Sequence, residues 1–321
     1  LYGRELREVA PMGSETIYIL GSGAIGFPLA AYLANAGRAV IAVRTSRKDV
    51  PKGAITITVR NGPSHVRACV ETISLSKLDD LAGTVVIAAK SYANSAIALE
   101  MRGKGATGPV VIMQNGLGVE RPFIEAHFTP IYRCVLYVTS EPVSEYDFTI
   151  RPVTASPIGI VNGDGAGLQK CVEDLTTDGL PFRLEANIQK EIWRKVIVNS
   201  VFNSICPLLD VDNGVFARDE EVASLAGEVV RECVAVTDRL DMGLSESELM
   251  EQILLISKGS DGQLISTLQD MRSGRQTEME FLNLAIARVA ASMKPGLPLP
   301  RTELLGKMVL AKSARRRADL L

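Results

Sequence analysis

Three stretches of the chain combine residue type and spacing in ways that could do chemistry. The first is Gly21-Ser22-Gly23-Ala24-Ile25-Gly26. In such a turn the first glycine permits a tight bend, the second lets a pyrophosphate approach the backbone, and the third lets a helix pack close to a strand. The helix N-terminus then attracts the phosphate charge. The second stretch is Arg44-Thr45-Ser46-Arg47. It lies where a site for NAD wants a carboxylate to accept hydrogen bonds from the adenosine ribose. A guanidinium cannot accept those bonds but can clamp a 2′-phosphate, so the pair of stretches predicts NADP(H). The other reading makes Arg44 and Arg47 exposed loop cations. The third stretch runs from Asn187 to Asn203. There Asn187, Glu191, Lys195, Asn199 and Asn203 recur every four residues and form one slowly drifting stripe on a helix. Beyond Lys195 the helix is apolar except for Asn199, Ser200 and Asn203, so it is expected to be buried, with a partner for each asparagine amide. The stripe is either a structural hydrogen-bond network or the wall of a cleft facing the cofactor.

These residues need elements to hold them. Thr16 to Leu20 reads as a strand leading into the glycine turn, and Ile25, Leu29 and Leu33 recur at helical spacing until Gly37 ends the helix. Ala39 to Val43, Val85 to Ala89 and Val110 to Met113 read as further buried strands, with helix or loop between them. That is the βαβ pattern of a parallel sheet. A more irregular β-rich stretch follows from Arg133 to about Val161, punctuated by Pro142, Pro152 and Pro157. From about Ala186 the pattern turns to long helices. The predicted architecture is α/β: a Rossmann-type parallel-sheet domain over residues 16–186, then a mainly α-helical domain over 187–321, with residues 1–15 as an N-terminal extension.

Composition excludes several classes of function. With 321 residues, 46% of them hydrophobic and 22% charged, the chain can bury two cores. A formal charge of −2, with Lys and Arg scattered, gives no stripe for nucleic acid. Arg315-Arg316-Arg317 reads as a solvated face near a helix C-terminus, where cations favour the dipole. The five cysteines form no Cys-x-x-Cys pair and fit buried, reduced thiols of a cytoplasmic protein. His65 and His127 have no ligand spacing, so no metal is expected. No apolar stretch reaches the roughly 18–20 residues of a membrane span. The first fourteen residues carry Arg4, Glu5, Arg7 and Glu8 and do not read as a secretory signal. The expected partner is a small molecule, and monomer and homodimer are equally compatible.

A set of motifs taken together resembles the ketopantoate reductase family from Thr16 onward. They are Gly21 to Gly26, Lys90 after a strand, and Gln114-Asn115-Gly116-Leu117-Gly118. Then come the Trp193-Arg194-Lys195-x-x-x-Asn199-x-x-x-Asn203 helix and Ser266-Thr267-Leu268-Gln269-Asp270 followed by Thr277-Glu278. The resemblance implies a Rossmann domain that binds NADPH, a helical domain that closes over it, and reduction of 2-dehydropantoate to pantoate on the route to coenzyme A. It implies that Lys195 is the general acid for the keto oxygen, where an ammonium suits developing negative charge, and that it also attracts the substrate carboxylate. It further implies that Asn115 is an active-site asparagine also on the cofactor, and that Lys90 lies on the cofactor side with Gly21, Ser22, Gly23, Ala24, Ile25, Gly26 and Arg44. Asn199, Asn203 and Ser266 would bind substrate, and Glu278 would support catalysis.

Local readings of the same residues stay open. Thr277-x-x-Glu280 has the form of a capping box, so Glu278 could serve a helix N-terminus; Ser266 could be an ordinary helix or turn serine; Asn115 could only make an Asn-Gly turn. Two stretches depart from the family pattern: Tyr137 to Val153, without its glycine and histidine, and Ser204-Ile205-Cys206-Pro207 after Asn203. The first puts the acceptor's identity in question and the second the pocket around Asn203. A lactate-type dehydrogenase would need His65 or His127 as its acid, and neither lies in a recognisable site. β-Hydroxyacid dehydrogenases share a Lys-x-x-x-Asn helix but carry glycines where this chain has Glu191-Ile192-Trp193-Arg194. A reductase of another small branched 2-oxo acid and a non-catalytic NADPH-binding sensor are the remaining alternatives.

Overall fold

The computed structural model describes residues 15–46 and 50–319. Arg47 and the extension up to Ser14 lie outside the described residues. The chain divides into two compact units: residues up to Gln114 together with Glu120–Ile188, and Asn115–Val119 together with Gln189 onward.

The first unit is built on one sheet. Its central strands are short aliphatic runs buried on both faces, as parallel strands between helices must be. They are β1 (Ile17–Leu20), β2 (Val40–Arg44), β5 (Thr84–Ile87) and β6 (Val110–Ile112). Between β2 and β5 lies a hairpin of β3 (Gly53–Asn61) and β4 (Ser64–Ser74). The β-rich stretch resolves into β7 (Ile131–Cys134), β8 (Val138–Pro142), β9 (Asp147–Pro152) and β10 (Ser156–Asn162), followed by β11 (Phe182–Leu184). The spatial order is β11-β10-β7-β6-β5-β1-β2-β4-β3-β9-β8. From β7 through β4 every neighbouring pair is parallel.

Helices α1 (Gly26–Asn35), α2 (Asn94–Gly103), α3 (Arg121–Glu125) and α4 (Leu168–Leu175) complete this unit. Helix α1 ends where the sequence predicts, with Gly37 at φ +77 and its N–H on Ala34 O, 3.0 Å. The β3–β4 hairpin is an addition to the expected pattern. Ile57 and Val59 alternate inward, and the loop is Gly62-Pro63 with Gly62 at φ +56, the sign a II′ turn requires at its first central position.

The second unit is helical: α5 (Ile188–Leu209), α6 (Val215–Arg218), α7 (Glu220–Arg239), α8 (Glu246–Gly259), α9 (Ser266–Arg272), α10 (Asn283–Ser292) and α11 (Pro300–Ala318). From Val196 to Pro207, α5 is buried apart from half-buried Asn199. Side chains close the ends of the helices. Asp219 caps α7, Ser245 caps α8, and Lys312 Nζ donates to Pro207 O (2.7 Å) and Leu208 O (3.2 Å) at the α5 C-terminus. Arg315 to Arg317 occupy the last turn of α11. All five cysteines are free, and burial pushes the thiols of Cys171, Cys206 and Cys233 up to about 12. Among the described residues no helix is long and apolar enough to cross a membrane.

Candidate active site

In the first unit the chemistry gathers at the C-terminal edge of β1, β2 and β5. The turn from Gly21 to Gly26 leaves β1 and enters α1. Gly21 sits at φ +112, and a Cβ there would fall 2.2 Å from Ala89 N. A Cβ on Gly26 would fall 1.8 Å from Gly21 O, whereas one on Gly23 would meet nothing within 4 Å. Both outer glycines are therefore required by backbone packing, while Gly23 faces open space that a pyrophosphate could enter. Ser22 Oγ is a buried hydroxyl without a hydrogen-bond partner, and a phosphate oxygen could accept from it. These residues fit a dinucleotide. Because Gly21 lies against Ala89, the adjoining Lys90 belongs to the same edge; it is half-buried and precedes the 3-10 turn Ser91–Ala93.

Beside that edge lies a buried polar network that sequence reasoning does not anticipate. Gln114 and Asn94 exchange two side-chain amide hydrogen bonds of 2.7 Å each, and Gln114 Nε2 also donates to Ala89 O, 2.6 Å. Arg133, 2% exposed, donates to Gln114 O at 3.2 Å and pairs with Glu120. The end of β6, which leads into Asn115, is thereby tied to the end of β5, which leads into Lys90.

Arg44 is not an exposed loop cation. It is 8% exposed, with its guanidinium 5.3 Å from the Phe27 ring centroid and 5.7 Å from that of Tyr146. Its Nη2 donates to Tyr146 Oη at 3.0 Å, and Nη1 lies 3.6 Å from Glu145 Oε1. Its burial has a simple cause: Arg44 is the last residue of β2, so its side chain follows the alternation of the strand into the layer that holds Phe27.

In the second unit, α5 carries Lys195 and Asn199, both half-buried, and Asn203, which is buried at 3% exposure. Asn203 Oδ1 accepts hydrogen bonds from Thr267 Oγ1 (2.7 Å), Thr267 N (3.3 Å) and Ser266 Oγ (3.3 Å). The stripe thus joins Asn203 to Ser266 and adds Thr267, which the Ser-Thr pair at a helix start could have signalled. Asn203 here acts as a cap for α9. Asn203→Ala is expected to cost about 1–3 kcal/mol in stability, measured by urea unfolding, because two buried donors lose their acceptor. An unchanged midpoint would leave Asn203 no structural role.

Asn115 and Glu278, 163 positions apart in sequence, ride on abutting backbone segments. Leu117 N–H donates to Phe281 O at 2.8 Å, and Gly116, at φ +106, lies so close that a Cβ would be 2.6 Å from Phe281 Cβ. Glu278 precedes the 3-10 turn Met279–Phe281. The capping-box reading does not hold: Thr277 Oγ1 is buried without a partner, and Glu280 pairs with Arg288 at 2.7 Å. His65 and His127 are both exposed, on β4 and on the loop after α3.

A glycine turn at the edge of a parallel sheet, followed by a helical unit with a lysine–asparagine helix, is the arrangement of a Rossmann-type oxidoreductase. Comparison with known proteins narrows the class. The family profile "Ketopantoate reductase PanE/ApbA" matches residues 17–151, and its C-terminal counterpart matches 187–313. A 2-dehydropantoate 2-reductase of Pyrococcus horikoshii is 29% identical over 305 residues, covering 93% of this chain and 97% of the relative. Among solved structures, a dimeric ketopantoate reductase of Staphylococcus aureus superposes with a TM-score of 0.79 at 20% identity, covering 94% of this chain and 99% of that one. D-mandelate dehydrogenase with NADH and anilino(oxo)acetate superposes with a TM-score of 0.80 at 21% identity and the same coverage. The chain belongs to the ketopantoate reductase family.

Proposed function

We propose that this protein reduces 2-dehydropantoate to pantoate with NADPH, in the cytoplasm, as a step of pantothenate and coenzyme A biosynthesis. The observation that carries the reading is the match of both family profiles, one to each end of the chain, with the lysine–asparagine helix retained inside the second. Residues 16–186 form the cofactor domain in this reading and 187–321 the catalytic one.

The bound cofactor supplies a hydride to the carbonyl carbon. The chain supplies the remainder. The backbone from Gly21 to Gly26 and the Ser22 hydroxyl receive the pyrophosphate, Arg44 answers the 2′-phosphate, and Lys90 and Asn115 complete the cofactor side. Lys195 holds the substrate carboxylate and protonates the keto oxygen as charge develops there. Asn199, Asn203 and Ser266 orient the acceptor, and Glu278 is a carboxylate that supports the active site.

The test is a panel of 2-oxo acids with NADPH and NADH, followed by loss of absorbance at 340 nm. Turnover of ketopantoate with NADPH above all other pairs is expected. Preference for another branched or aryl 2-oxo acid would overturn the substrate, preference for NADH the cofactor, and no turnover with any pair the enzymatic reading.

A further inference from the structure

Tyr146 and Glu145 lie in the turn between β8 and β9, far in sequence from the glycine turn, yet both reach the guanidinium of Arg44. Their position is firmly set. Strand β9 pairs with β3 through Val59 and Phe148, Thr58 N–H donates to Tyr146 O at 2.9 Å, and Arg60 grips Asp147 with two hydrogen bonds of 3.2 and 2.7 Å. Val143 N–H and Ser144 N–H both donate to Asp147 O, closing the turn. Tyr146 Oη accepts from Arg44 Nη2 and donates to Glu145 Oε1 at 2.9 Å. The side chain of Glu145 is 54% exposed and that of Arg44 9%, and Arg44 Nε is buried without a partner. The carboxylate lies at the surface, whereas the guanidinium is buried beside the edge-on pair of rings of Phe27 and Tyr146.

We propose that Glu145, presented by Tyr146, is a specificity-determining residue for the cofactor. Its carboxylate occupies the face of Arg44 that a 2′-phosphate needs and must be displaced when a 2′-phosphorylated dinucleotide binds. An unphosphorylated ribose imposes no such displacement, and its 2′-hydroxyl can donate to the same carboxylate. Glu145 therefore narrows the preference for NADP(H) over NAD(H). A carboxylate on the β8–β9 turn restores, from elsewhere in the chain, the acidic group missing from the end of β2. This inference rests on the assignment of Arg44 to the 2′-phosphate made above.

The experiment is calorimetric binding of adenosine 2′,5′-bisphosphate and of AMP, which lacks the 2′-phosphate, to the full chain and to Glu145→Gln, Tyr146→Phe and Arg44→Gln. Removing one partly exposed competing charge is worth about 1 kcal/mol, so Glu145→Gln is expected to raise the ratio of the two affinities about three- to tenfold toward the bisphosphate. Tyr146→Phe, which frees the carboxylate from its bridge, shifts the ratio in the same direction by less. Arg44→Gln collapses the preference, and adding Glu145→Gln to it then moves the ratio by less than Glu145→Gln alone does in the unmodified chain. If Arg44→Gln leaves the preference intact, the assignment of Arg44 fails and this inference with it. If Arg44→Gln collapses the preference while Glu145→Gln leaves the ratio unmoved, the inference alone fails. Should Arg44→Gln not fold, the Glu145→Gln ratio decides by itself, since that side chain lies at the surface.

Discussion

Lys195→Ala is expected to lower kcat about 10²- to 10⁴-fold, the range of a positioned general acid, while the affinity for NADPH measured by nicotinamide fluorescence stays near that of the unmodified chain. The position of Lys195 on α5 explains the split. It shares that helix with Asn199 and Asn203, one turn apart along the stripe, and the glycine turn proposed for the pyrophosphate is built from other elements. Lys195→Arg sharpens the test. A guanidinium keeps the positive charge but surrenders no proton at neutral pH, so carboxylate attraction survives while proton donation is lost. KM for the acid should then rise little while kcat stays depressed. Near-normal turnover by both variants would remove Lys195 from the mechanism.

Gly26→Ala has the second large effect. The new methyl would be placed 1.8 Å from Gly21 O and 3.2 Å from Ile19 Cγ2. The carbonyl is backbone and cannot retreat, because Gly21 is itself packed on Ala89 and its N–H donates to Val43 O at 3.0 Å. Relief would require α1 to lift from β1, at a cost of about 3 kcal/mol or more, and the proposed pyrophosphate site would open with it. A Tm lowered by several degrees together with dinucleotide binding weakened at least a hundredfold is the expected result. Gly23→Ala supplies the contrast. Its Cβ meets nothing within 4 Å, so the fold should keep its Tm while the methyl occupies the space a pyrophosphate needs. Wild-type stability and binding in Gly26→Ala would show that the close helix–strand contact is not required.

Much of the fold is legible in the sequence because it rests on local patterns. Ile17–Leu20 and Val110–Ile112 are uninterrupted aliphatic runs of strand length, and the glycine turn sits between a strand and a helix as its backbone demands. The long helical patterns after Ala186 likewise appear as α5 to α11. The β3–β4 hairpin was equally available to pattern reading. Ile55-Thr56-Ile57-Thr58-Val59 alternates with period two and is followed by Gly62-Pro63, a turn signal that the expectation of a βαβ crossover obscures. The stretch from Tyr137 to Val153, which departs from the family pattern, forms the β8–β9 hairpin and delivers Tyr146 to Arg44.

By itself the sequence determined the presence and order of the chemical parts: a glycine turn for a dinucleotide, an arginine in place of an acid after β2, and a lysine and two asparagines on one helical stripe. Residue type and short-range spacing suffice for these, since strand and helix periods depend on neighbours a few positions apart. Only the tertiary structure decided what each part touches. Arg44 became a buried cation beside the rings of Phe27 and Tyr146, Asn203 became the acceptor for Ser266 and Thr267, and the Asn115 segment was joined to the turn after Glu278. Apart from Phe27 and Arg44, which are 17 positions apart, those contacts span roughly 60 to 165 positions of sequence. They are set by sheet order and by buried polar groups that must find partners at whatever distance along the chain folding brings them.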